Sequence, residues 1–99
     1  MSTPQISSSA AGLRVSGDLT FATVTTLLAE SRPLFVAGSA PLLVDLSAVA
    51  HADSAGLALL IEWSRLARGL GRELHFQTVP PQMQAIASAS GLTDFLAAN

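Results

Sequence analysis

The chain has no cysteine, no lysine and no tyrosine, and only 12% of its 99 residues are charged. Without cysteine there is no disulfide, no thiolate chemistry and no cysteine-ligated zinc, and folding needs no oxidising compartment. Without lysine, five arginines stand against seven carboxylates for a formal charge of −2. That balance supplies no basic stripe to displace counterions from nucleic acid, which is excluded as a partner. Long apolar runs are missing too. The longest, 55–61, is far short of the roughly 20 residues that span a bilayer. Residues 1–12 hold neither the positive charge nor the apolar centre of a secretory signal. A cytoplasmic protein is expected, reaching a membrane only as a peripheral member of a partner complex.

What is present is apolar: 49% of the residues. A chain of this length fills one core, since domains usually run to about 100–150 residues. With so few charges, much of its surface must be uncharged, which suits association.

Residues 1–4 are expected to form a flexible terminus. Gln5-Ile6-Ser7 and Leu13-Arg14-Val15-Ser16 then flank Ala10-Ala11-Gly12 and predict a hairpin, broken by Gly17-Asp18. Phe21, Val24, Leu27 and Leu28 recur at helical spacing behind Thr20, a capping residue, and predict a helix over 21–31. Pro33 and the 38–41 segment punctuate the chain. The continuous apolar run 42–46 predicts a central strand buried on both faces. A second helix is expected from Ser54 to about Leu70, a strand over 73–77, and a third helix opened by Pro80-Pro81 and closed by Gly91. Strands alternating with helices make this an α/β chain.

The second helix has two faces. At about 100° per residue, one half of its circumference collects Ala55, Gly56, Leu59, Leu60, Trp63, Ser64, Leu66, Ala67 and Leu70, the expected core face. The other half holds Ser54, Ala58, Ile61, Glu62 and Arg65, with Leu57 and Arg68 at its edge. A helix that only packs on a sheet would place long polar residues at 58 and 61. The row Ser54, Ala58, Ile61, Arg65 therefore predicts a partner-binding surface, unless Ile61 is tucked under a neighbouring loop. Asp53 and Ser54 are both favoured N-caps, and one of them is expected to serve as such. If Ser54 faces solvent, a phosphate there would place about −1.5 to −2 charges at the head of a helix that favours them, while blocking the surface by bulk.

The segment Val44-Asp45-Leu46-Ser47, followed by Asp53-Ser54-Ala55-Gly56-Leu57, resembles the STAS family of anti-sigma factor antagonists and transport regulatory domains. Gly17-Asp18-Leu19 is similar to the turn before that family's first helix, and Pro80, Ile86, Ala87 and Gly91-Leu92 to its last helix. The resemblance runs from about residue 5 to 97, with the Asp-Ser-Ala-Gly-Leu segment its most specific part. It implies a single STAS-type α/β domain over 5–99, with a mixed sheet of four or five strands and three to four helices. It also implies that Ser54 matches the serine phosphorylated in the antagonists. The run Gly56-Leu57-Ala58-Leu59-Leu60 and the short chain look most like the STAS subunit of the bacterial Mla phospholipid-transport ABC system, which maintains lipid asymmetry. That likeness implies a non-catalytic subunit bound to the transporter's cytoplasmic ATPase with Ser54 in the interface; Asp53, Leu57, Ala58, Ile61 and Arg65, from the helix face and its cap, are the other expected contact residues. The alternative it leaves open is an antagonist that binds an anti-sigma kinase and is controlled at Ser54.

Motifs of chemistry are thin. His51 could be imagined as a base for Ser54, but no Gly-x-Ser-x-Gly elbow is present. His51 and His75 lack a carboxylate at ligand spacing, so no metal is expected. Gly69-Leu70-Gly71 lacks the rest of a dinucleotide or phosphate loop and is expected to be a helix stop, so no cofactor is expected. Arg65, Arg68 and Arg72 are expected to complement the helix dipole or to meet an acidic partner. Trp63 and Met83 are expected in the core.

Overall fold

The computed structural model describes residues 4–9 and 12–98. The expected turn at Ala10-Ala11 and residues 1–3 of the expected flexible terminus lie outside the described residues. In chain order the elements are β1 (Gln5–Ser9), β2 (Gly12–Leu19), α1 (Val24–Val36), β3 (Leu42–Ala52), α2 (Ser54–Gly69), β4 (Leu74–Gln77), α3 (Pro81–Ala89) and α4 (Thr93–Ala98). The strands form one mixed sheet in the order β1-β2-β3-β4, antiparallel between β1 and β2 and parallel across the other two pairs.

Alternation along the strands shows which side of the sheet is covered. Leu42, Val44 and Leu46 of β3 are buried, whereas Leu43 and Asp45 between them are half-buried. Their neighbours across the sheet, Arg14, His75 and Gln77, are exposed. The central strand is thus buried on one face only, which corrects the expectation of two. An apolar run of five residues cannot distinguish a doubly covered strand from one whose second face carries a single leucine. On the open face, Asp45 accepts a hydrogen bond from the Ser47 amide at 2.9 Å. That bond, with help from the Ser47 hydroxyl and the Arg14 charge, holds the Asp45 carboxyl below its ordinary 3.8.

On the covered face a continuous core joins Leu13, Val15 and Leu19 of β2 to Leu27 and Phe35 of α1, Leu60 and Trp63 of α2, and Met83 of α3. Trp63 is fully buried, with its ring 6.1 Å from that of Phe35. Its Nε1 donates to Ser31 Oγ at 2.8 Å, and that hydroxyl donates to the Leu28 carbonyl at 2.9 Å. The chain of bonds satisfies a polar pair where an unmatched one would be destabilising by about 1–3 kcal/mol. Trp63 and Met83 are core residues, as expected.

Three boundaries differ from expectation. Gly17-Asp18 does not end β2; the strand runs on to Leu19, absorbing the glycine at φ 85° with register shifts on either side. Helix α1 begins at Val24, behind a turn over 21–23, and continues through Pro33 to Val36. Phe21 is therefore off the helix and 86% exposed, instead of lying on its core face. Leu70, placed by helical periodicity in the core, is 44% exposed because α2 stops at Gly69 and the chain leaves the helical path.

Candidate functional site

Asp53 is the N-cap of α2. Its backbone is extended, at φ −120° and ψ −169°, and its Oδ1 accepts from the amides of Ala55 at 2.8 Å and Gly56 at 3.4 Å. These are two of the free donors that every helix start exposes. Its second oxygen reaches elsewhere: Oδ2 accepts from the Phe21 amide at 3.1 Å, while the Asp53 amide donates to the Leu19 carbonyl at 3.1 Å. One residue thus ties the start of α2 to the connection between β2 and α1.

That connection is itself a closed unit. The Thr23 hydroxyl donates to the Asp18 carbonyl at 2.7 Å and accepts from the Thr20 amide at 3.0 Å. The first turn of α2 lies close beside it. A Cβ built on Gly56 would come within 2.6 Å of the Leu19 carbonyl oxygen and 3.2 Å of Met83 Cε. Glycine at 56 is therefore what lets α2 approach both the end of β2 and α3. The Ala52 amide donates to Gln82 Oε1 at 3.2 Å, fastening the head of α3 to the same corner.

Of the residues expected on the partner face, Ser54, Ala58 and Arg65 are exposed. Among the described residues the Ser54 hydroxyl has no hydrogen-bond partner, and the cap is Asp53. Arg65 lies along the helix surface, with Nη1 3.1 Å from Glu62 Oε1. Leu57 is not on the face: it is only 4% exposed and belongs to the buried core. Ile61 is half-buried and packed against the core.

The apolar surface that remains lies on the other flank of the row. Phe21, Val24, Thr25, Leu28, Ala55, Ala58, Leu59 and Glu62 line a groove of about 270 Å³ between α1 and α2. Phe21 is the most exposed large hydrophobic residue of the described chain and stands at this groove. Helical periodicity missed it by counting it as the first core residue of α1. The signal available in the sequence was the pair of threonines at 20 and 23, which favour a capping turn over a helix start.

His51 does not serve Ser54. Its Nδ1 lies 3.3 Å from Asp18 Oδ1, a carboxylate buried at the end of β2, while the imidazole itself is largely exposed. His75 is exposed, with Nε2 3.7 Å from Glu73 Oε2. Arg72 does not complement α2. Its Nε donates to the Ala40 carbonyl at 2.6 Å and its Nη1 to the Leu34 and Phe35 carbonyls at 3.2 and 2.8 Å, closing the end of α1. A larger cleft of about 620 Å³ lies by α3 and α4, lined by Thr78, Val79, Gln84, Ser88, Thr93 and Leu96, none of them charged. Among the described residues no helix is long and apolar enough to cross a membrane.

A mixed four-stranded sheet covered on one face thus carries a helix capped by Asp53 with an exposed serine at its head. The sequence profile of the family described as "Mlab, STAS domain" matches residues 2–97, and the chain belongs to that family. Among solved structures it is similar to the anti-sigma factor antagonist SpoIIAA in its unphosphorylated form. The TM-score is 0.64 and the identity 14%, over 87% of this chain and 82% of that one. It is also similar to Mglu, at TM-score 0.59 and 16% identity, over 79% of this chain but only 20% of the other. At these identities the likeness concerns the fold. No curated protein matches the chain by sequence.

Proposed function

We propose that this chain is a non-catalytic docking subunit that seats on, and supports, the cytoplasmic ATPase of an Mla-type phospholipid ABC transporter. The observation that carries the docking surface is Phe21, 86% exposed beside an apolar groove at the free head of α2. An exposed aromatic over an apolar groove is the composition of an interface anchor, because burying it removes a large area from water at small conformational cost. The contact surface is Ser54, Ala58, Glu62 and Arg65 of α2 with Phe21, Val24 and Leu28 from the α1 side; Asp53 holds the corner together, and Ile61 borders it. The Mlab description of the family supports the transporter as the setting.

A second reading has its own support. Among the described residues the Ser54 hydroxyl is exposed and unengaged, as a phosphoacceptor must be, and the fold is similar to that of an antagonist. In that case the partner is an anti-sigma kinase, and phosphate on Ser54 releases it.

Both are tested by capture from native membranes and cytosol with the full tagged chain, followed by identification of what binds. The transporter reading expects the ATPase. Phe21→Asp or Ala58→Asp should weaken its capture by at least about 30-fold, the effect of losing an interface anchor of about 2 kcal/mol. ATPase captured undiminished by both variants would place the interface elsewhere. Capture of a kinase, with phosphate found on Ser54, would establish the second reading.

A further inference from the structure

We propose that Thr23 is a positioning residue for docking, a role that rests on the docking face above: its buried hydroxyl fixes the turn that presents Phe21 before any partner arrives. Phe21 is 86% exposed, so packing beneath the ring does little to hold it, and its place is set by the backbone that carries it. An exposed turn between two elements is ordinarily among the more mobile parts of a fold. This one is closed from within. The amides of Thr23 and Val24 donate to the Thr20 carbonyl at 2.9 and 3.0 Å, with Phe21 inside the loop so formed.

Thr23 stands at the N-cap of α1, where a threonine hydroxyl ordinarily accepts from the free amides of the helix. Among the described residues it makes no such bond. Instead it accepts from the Thr20 amide at 3.0 Å and donates to the Asp18 carbonyl at 2.7 Å, with the Thr20 carbonyl 3.2 Å away. Asp18 is buried near the end of β2, a strand paired on both sides, so the hydroxyl ties the residue before Phe21 to the sheet. From the other direction, the Phe21 amide donates to Asp53 Oδ2 at the head of α2. The backbone of Phe21 is thus held from β2 and from α2, while its ring is left bare. Ordering a free residue opposes binding, and a loop already fixed in the unbound chain avoids that cost. Thr23 itself is 8% exposed and offers a partner almost no surface, so what it contributes to docking passes through Phe21.

The test is a double-mutant cycle on capture of the ATPase by the full chain, with Thr23→Val introduced alone and together with Phe21→Ala. Valine keeps the branched shape of threonine and lacks the hydroxyl. Thr23→Val should weaken capture about tenfold, the effect of having to order one more residue on binding. In the Phe21→Ala background, where no anchor is left to place, the same change should weaken it by about twofold or less. Thr23→Ser, which keeps the hydroxyl, should capture within about twofold of the native chain. If the valine variant does not fold, Thr23→Cys, whose thiol is a weak donor and acceptor, takes its place in the cycle. Capture unchanged by loss of the hydroxyl overturns the proposal, as does equal weakening in both backgrounds or a serine variant as weak as the valine one; in each case the docking reading stands if Phe21→Ala alone weakens capture. No capture of the ATPase, or capture that Phe21→Ala leaves undiminished, removes the docking reading and the role of Thr23 with it.

Discussion

At the scale of single residues, the corner where β2, α2 and α3 meet depends on one absence of side chain and one carboxylate. Gly56 sits 2.6 Å, as measured from an added Cβ, from a backbone oxygen that no rotamer change can move aside. Gly56→Ala should therefore destabilise the fold by about 1–3 kcal/mol, as overpacking does, in spite of alanine's better helix propensity. A lowered urea midpoint with an unchanged slope would show it; an unchanged or raised midpoint would mean that the corner yields freely. The sequence marked this residue for the core face and could give no more, because the obstruction is the carbonyl of Leu19, 37 positions away in the chain. Residue type alone offered Asp53 and Ser54 equally as the cap, and the structure gives the role to Asp53. Its second bond, to the Phe21 amide, was not legible, for the same reason of distance along the chain.

Among the elements, α1 departs furthest from what its sequence predicts. A proline inside a helix removes a donor and crowds the preceding turn, so 33 was the natural stop. The helix nevertheless continues to Val36, which brings Phe35 into full burial against Trp63. Arg72, in the connection between α2 and β4, takes the carbonyls of Leu34 and Phe35 that a helix end leaves free. Arg72→Ala should thus cost about 1–3 kcal/mol and loosen the last turn of α1 more than any part of α2. Hydrogen exchange resolved over 34–40 would check this, and fraying of α2 instead would return Arg72 to the role of complementing its own helix. Helix α2 itself needed no correction in extent beyond one residue, since an amphipathic period and a strong cap agree there.

Across the whole molecule, one face of the sheet is covered and the proposed docking surface lies at the edge of the helical layer. Phe21 contributes nothing to the core, so Phe21→Ser should leave stability within about 0.5 kcal/mol of the native chain while abolishing capture of the partner. A melting temperature that fell by many degrees would mean the ring is packed in solution, and would remove it from the docking face. The sequence alone determined the α/β alternation, the central strand, both faces of α2 in outline, a cap at Asp53 or Ser54 and the family, all of which rest on local period, local capping chemistry or contiguous motif. Only the tertiary structure decided that Leu57 is covered, Ile61 half-covered and Phe21 bare. Those outcomes depend on what comes to rest against α2, and helical periodicity in one segment carries no information about what packs beside it.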